Sequence, residues 1–240
     1  MGISRFTRMI RRYLPLDYCG AVIVAAGNAT RMGGIDKTMA LLGGEPVIAH
    51  TVSAFQNCDA IKEIVVVTRS DLLMQVSDLC HRFSKVKAVV VGGDNRVASV
   101  VNGLSMLSAK ARLVAVHDGA RPLVSFEVID RTVRAAHSYG AAAPGVAVKD
   151  TIKCVTGGLV ASTPERKTLQ AVQTPQVFDA DILRGALKKA VRDGAEITDD
   201  CSAVERIGLR IRMVEGEERN LKITTPMDLK LAEMLLEDRK

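Results

Sequence analysis

Residues 21–37 read AVIVAAGNATRMGGIDK. The opening AVIVAA is an apolar run of strand length, and the residues after it are glycine-rich, with Arg31 and Lys37 as their cations. An unbroken apolar run this short suits a strand buried on both faces of a parallel sheet. Three similar runs come later, at 63–68 (EIVVVT), 86–91 (VKAVVV) and 112–117 (RLVAVH). Helical spacing fills the gaps. Val47, Ile48, Val52 and Phe55 follow Pro46, a favourable first helical residue. Leu72, Leu73, Val76, Leu79, Cys80 and Phe83 follow Ser70, a suitable N-cap, and Val97, Val100, Val101, Leu104 and Leu107 repeat at threes and fours. Alternation of this kind predicts right-handed βαβ units, hence an α/β, Rossmann-like fold with a mainly parallel, doubly wound sheet. Ligands in such sheets sit beyond the carboxyl ends of the strands.

The rhythm breaks after Val148. Residues 149–168 alternate around Gly157-Gly158, which predicts a β-hairpin too short for its own core, projecting as an arm. Helices are expected again at 180–192 and 200–207, strands at 210–214 and 220–223, and a last helix at 226–238 behind Thr225 and Pro226. The organisation is therefore a basic N-terminal extension, 1–18, and a single α/β domain, 19–240, with its arm at about 149–168. In the extension, Ile3, Phe6, Ile10 and Tyr13 recur at helical spacing among Arg5, Arg8, Arg11 and Arg12. This predicts an added helix or frayed extension, without the apolar stretch of a secretory leader.

Composition narrows the function classes. With 240 residues, 48% hydrophobic and 25% charged, the chain is an ordinary globular one. The apolar runs are far shorter than the ~20 residues of a membrane helix. Aromatics are only 3%, which argues against stacking platforms for single-stranded nucleic acid. The five cysteines lack zinc spacing and are read as reduced thiols of a cytoplasmic protein. The net charge of +6 fits nucleic acid, a membrane surface or small phosphates alike, so placement has to decide.

Three loops follow strands of one sheet and so converge on one edge. The first, Gly27 to Lys37, has backbone N–H groups and two cations suited to phosphate oxygens. It is neither a Walker A loop nor GxGxxG. The second, Gly92-Gly93-Asp94-Asn95-Arg96 with Ser99 beyond, lets backbone approach a ligand closely. The third, His117-Asp118-Gly119-Ala120-Arg121-Pro122, ends a strand on a carboxylate suited to Mg²⁺. Together they describe a nucleoside triphosphate site.

AAGNATRMGGIDK is similar to the AAGxGxRM…PK signature of the sugar- and alditol-phosphate nucleotidyltransferases. VGGDNRVASV, HDGARP, VKDTIK, TPQVF, ITDD and NLKITTPMDL then follow in the order found in the 2-C-methyl-D-erythritol 4-phosphate cytidylyltransferase family. The resemblance covers residues 20–238. It implies transfer of CMP from CTP to a sugar-alcohol phosphate with release of pyrophosphate. It further implies that Arg31, Lys37 and Lys222 are catalytic, binding the phosphates and stabilising the transition state. Ala25, Ala26, Gly27, Gly93, Asp94 and Ser99 would bind CTP, and Asp118 would hold Mg²⁺. Gly119, Arg121 and Thr198 would line the acceptor pocket, with Thr151 and Arg166 entering from the arm of a second chain in a homodimer. Neither nucleic acid nor membrane is an expected partner.

The chain departs from the family pattern at Ala29, where Gly is usual, at Asp36, where Pro precedes the catalytic lysine, and at Gly119, where Ala is common. Two alternatives stay open on the residues alone. One is a ribitol 5-phosphate cytidylyltransferase, which shares the CTP half of the site. The remoter one is a non-catalytic nucleotide- or nucleic-acid-binding module.

Overall fold

A computed structural model of the protein describes residues 14–27 and 36–238. Strand β1 (Cys19–Ala25) lies inside an eight-stranded sheet. A small clip, β2 (Leu41–Leu42) with β3 (Glu45–Pro46), follows it in the chain. On one side β1 pairs in parallel with β4 (Ile61–Thr68), which pairs in parallel with β5 (Val86–Val91). On the other side β1 pairs in parallel with β6 (Leu113–Asp118). The chain thus steps outward from β1 to β5 and then returns across β1. That reversal, between β1 and β6, opens a crevice at the carboxyl ends.

Neighbouring residues of a strand face opposite sides, and β1 shows the consequence. Ile23 packs with Val52 and Phe55 of α1 (Val47–Gln56), Val76 of α2 (Leu73–Cys80), and Val128 and Val133 of α4 (Phe126–Tyr139). Val22 packs with Val100 and Leu104 of α3 (Arg96–Ser105), Leu183 and Leu187 of α5 (Ala180–Arg192), and Val204 of α6 (Asp200–Glu205). Both β1 residues are fully buried, as the apolar run predicts. A smaller core joins α7 (Pro226–Glu237) to Leu42, Val47, Leu123 and Ile223.

Beyond β6 the sheet becomes mixed. Strand β7 (Ala141–Ala147) is separated from β6 by β11 (Gln176–Asp179), antiparallel to both. Two further strands flank β7: β10 (Gln170–Val172), antiparallel, and β12 (Arg212–Glu215), parallel. The arm forms a separate two-stranded sheet, β8 (Cys154–Thr156) with β9 (Leu159–Ser162), exposed at every position. Gly157 and Gly158 have φ of +58° and +81°, the paired positive angles of a type I′ hairpin turn.

Two expectations need amendment. The segment 220–223 is not a strand: Asn220 is held by its side chain, and the Ile223 N–H donates to the Ala120 carbonyl, so the loop is moored end by end. Residues 14–18 of the extension are anchored on the domain. Leu16 packs on the core, Asp17 pairs with His137, and the Tyr18 carbonyl accepts from Arg112 and Leu113. The helical reading of the preceding residues falls outside the described residues.

Candidate active site

The carboxyl ends of β1, β4, β5 and β6 surround a cavity of about 750 Å³. Its wall at β5 is made by glycine for lack of space. A Cβ on Gly92 would stand 2.3 Å from the Ala26 Cβ, and one on Gly93 2.3 Å from the Ala98 Cβ. Neither position holds a side chain without moving its neighbour. The turn is fixed by α3: Asn95 caps it by accepting from the Ala98 N–H at 2.9 Å, and the Ser99 hydroxyl accepts from the Gly93 N–H at 3.1 Å. Backbone therefore faces the cavity where a flat base can lie against it.

The opposite wall is charged. Asp118, the last residue of β6, is buried and meets three cations. Arg96 donates to one carboxylate oxygen at 2.9 Å; Arg121 and Lys222 reach the other at 3.3 and 3.0 Å. Burial by itself would raise the carboxyl's pKa, but Arg96, Lys222 and Arg121 hold it well below the usual carboxylate range. The cations differ in anchorage. Arg121 also donates to the Asn220 carbonyl at 2.7 Å, and Arg96 to Asp200 at 2.7 Å. Asp200 is buried at the start of α6, and burial raises its pKa against the pull of Arg96. The guanidinium of Arg96 is thereby clamped between two carboxylates. Among the described residues, Thr68 Oγ1 and Arg96 Nε are buried polar side-chain atoms of the cavity lining with no hydrogen-bond partner.

His117 supports this wall from behind. Its Nε2–H donates to the Arg121 carbonyl at 3.2 Å, since a carbonyl only accepts, and its Nδ1 takes the Thr174 hydroxyl at 3.0 Å. The Thr174 oxygen accepts in turn from the Asp118 N–H at 3.1 Å. Asn220 donates to the Thr174 carbonyl at 2.9 Å, which brings the NLKI segment, and so Lys222, against Asp118.

Lys37 enters from the far rim, on a turn in which the Asp36 carbonyl accepts from Met39 and Ala40. Asp36, the unexpected neighbour, is engaged: its carboxylate accepts from Thr38 and from Arg69.

Ala25, Ala26, Gly27, Lys37, Gly93, Asp94, Ser99, Asp118 and Lys222 all line the one cavity. Arg121 stands behind Asp118. Gly119 lies in the packing between β1 and α1, where a Cβ would be 2.9 Å from the Ala25 Cβ. Thr198 is exposed two residues before Asp200. Thr151 and Arg166 sit at the base of the arm, Arg166 donating to the Lys149 carbonyl at 2.9 Å. Arg31 falls outside the described residues. Arg96, Asp200, Arg69 and Thr174 brace the site through contacts that the motifs did not point to. The Asp pair of ITDD and the Arg of GGDNR were the available signals.

As a metal site, the wall offers Asp118 alone. No cluster of three or more His, Cys, Asp or Glu suited to a metal occurs among the described residues. One ionised carboxylate fits Mg²⁺, which is commonly held by one or two carboxylates and completed by substrate phosphates.

The family model "IspD: 2-C-methyl-D-erythritol 4-phosphate cytidylyltransferase" matches residues 19–238. A 2-C-methyl-D-erythritol 4-phosphate cytidylyltransferase of Caldanaerobacter subterraneus subsp. tengcongensis is 43% identical over 90% of this chain and 97% of its own length. One from Symbiobacterium thermophilum is 44% identical over 90% of this chain and 92% of its own. Among solved structures, a 4-diphosphocytidyl-2C-methyl-D-erythritol synthase from Anaerococcus prevotii has a TM-score of 0.84 at 29% identity, covering 92% of this chain and 96% of that one. The 2-C-methyl-D-erythritol 4-phosphate cytidylyltransferase of Thermus thermophilus has a TM-score of 0.75 at 34% identity, covering 92% and 99%.

Proposed function

The chain belongs to the 2-C-methyl-D-erythritol 4-phosphate cytidylyltransferase family, and from that premise we propose how its own residues perform the transfer. The enzyme joins CTP to 2-C-methyl-D-erythritol 4-phosphate, giving 4-diphosphocytidyl-2-C-methyl-D-erythritol and pyrophosphate. A phosphate oxygen of the acceptor forms the new bond to the α-phosphorus of CTP, and the bond to pyrophosphate breaks. Two anions must meet in line, so the protein's task is to neutralise charge and align the reactants.

The observation that carries this reading is Asp118 held by three cations across the cavity from the Gly92-Gly93 backbone. The cytosine lies on the glycine side, against Ala25, Ala26, Gly93 and Ser99. The triphosphate runs between Lys37 and the Asp118 wall, and the family resemblance assigns Arg31 to the same phosphates. Mg²⁺, held by Asp118 and the triphosphate, would neutralise phosphate charge. Lys222 has Asp118 as its one ion-pair partner among the described residues, so it is the cation most readily passed to a phosphate. Arg96 and Arg121 keep their second anchors, Asp200 and the Asn220 carbonyl.

The acceptor side needs a second chain. Thr151 and Arg166 do not line their own chain's cavity, and the arm exposes Val155, Leu159 and Val160 to 57%, 77% and 59%. A homodimer in which each arm serves the neighbour's site gives those residues a surface to cover. Free cysteines, four of them buried, support a cytoplasmic enzyme. No helix among the described residues is long and apolar enough to cross a membrane.

Pyrophosphate release from CTP, Mg²⁺ and the acceptor tests the assignment. Lys37→Ala and Lys222→Ala should each lose at least ~10²-fold in rate, roughly 2.7 kcal/mol of transition-state stabilisation. Near-parental turnover in either variant removes that lysine from the mechanism.

A further inference from the structure

We propose that Asp36 is a positioning residue for Lys37: through Arg69 it fixes the turn that presents Lys37 to the nucleotide cavity. The proposal rests on the role given to Lys37 above.

The two oxygens of the Asp36 carboxylate do different work. Oδ1 acts inside the turn, accepting from the Thr38 N–H at 2.8 Å and the Thr38 hydroxyl at 2.5 Å. Oδ2 acts outside it, accepting from Arg69 at 3.0 Å. Arg69 is itself held, since its Nε donates to Asp71 at 2.9 Å and a second guanidinium nitrogen grips the same carboxylate. It comes directly after Thr68, the end of β4, whose register is set on both sides by β1 and β5. A continuous path therefore runs from the sheet through Arg69 and Asp36 to Lys37. The far end of the turn is tied separately, the Thr38 carbonyl accepting from the Ile48 N–H at 2.9 Å.

A lysine has a long, rotatable stem, so the position of its Cα decides which atoms its ammonium can reach. Misplacement by about 1 Å can cost on the order of 10²-fold in rate. The Arg69 pairing also satisfies a negative charge that adjoins Lys37 in the chain and would otherwise compete with triphosphate for the ammonium. Partly exposed ion pairs contribute little to overall stability, so this one can be removed without unfolding the chain.

Asp36→Asn keeps the shape and the Oδ1 acceptor but removes the charge that Arg69 grips. The full-length protein, Asp36→Asn, Lys37→Ala and the double variant are compared by steady-state pyrophosphate release and by melting temperature. Asp36→Asn should lower kcat about tenfold, by partial misplacement of Lys37. KM for the acceptor and the melting temperature should hold. In the Lys37→Ala background the same change should cost nothing further, because it acts only through Lys37. A kcat within about twofold of the parent, or an equal loss repeated on top of Lys37→Ala, overturns the proposal. If Lys37→Ala itself retains the parental rate, the role of Lys37 fails instead, and that outcome is separate.

Discussion

Gly93 makes the cavity wall by having no side chain. A Cβ there would meet the Ala98 Cβ at 2.3 Å and Ala98 backbone at 3.2 Å, so Gly93→Ala has to displace the start of α3. Overpacking of this kind typically costs ~1–3 kcal/mol. The expected result is a melting temperature a few degrees lower and weaker CTP binding by calorimetry. Asp200 matters for the opposite reason, as a charge with nowhere else to go. Asp200→Asn leaves Arg96 with Asp118 as its one carboxylate partner among the described residues, and kcat/KM for CTP should fall about tenfold, roughly 1.4 kcal/mol. An unchanged kcat/KM would mean that the clamp on Arg96 has no catalytic use. Asp118 and Lys222 were legible as single residues of recognisable motifs. The Arg96–Asp200 pair was not, because its partners lie 104 residues apart and meet only in the folded chain.

Among elements, the arm was the easiest to read and the hardest to explain from one chain. Gly157-Gly158 announces a hairpin, and the positive φ of both residues is what that turn demands. The proposed homodimer would give the arm a second molecule to touch. If Arg166 serves the neighbouring site, Arg166→Ala and Lys37→Ala chains, each impaired alone, should regain activity when mixed and allowed to exchange. One site of the hybrid then has Lys37 and an intact Arg166 from its partner. A mixture no more active than the sum of the separate variants would assign the arm to its own chain. By contrast, β7 and β11 left no clear signal. Ala141–Ala147 is small and proline-bearing, and an antiparallel β11 between β6 and β7 follows from the route of the chain rather than from any local pattern.

For the molecule as a whole, His117 ties local geometry to global stability. Burial is the main cause that pushes its imidazole down to about 3, so the folded state keeps it neutral. The unfolded chain takes up that proton near pH 6.5. Between about 3 and 6.5 the unfolded state therefore binds more protons, and stability rises with pH across that window. The contribution is complete above about 6.5 and is lost as pH falls toward 3. Melting temperatures of the protein and of His117→Asn should diverge in their pH dependence below about pH 6.5, with the variant showing the shallower fall. Parallel curves would show that His117 does not titrate between the states.

Sequence by itself determined the doubly wound half of the sheet, since short apolar runs and helical spacings are local patterns that bury themselves in one way. It also determined that the loops after β1, β5 and β6 meet at one edge, because parallel strands all end on the same side of the sheet. Tertiary structure alone decided which charges meet. Arg96, Arg121 and Lys222 come from three separate segments to one carboxylate, and Arg69 reaches back to Asp36. The physical reason is range. Hydrophobic periodicity is written within a dozen residues, whereas an ion pair depends on where distant backbones are finally placed, and that position is fixed only when the two cores close on either side of β1.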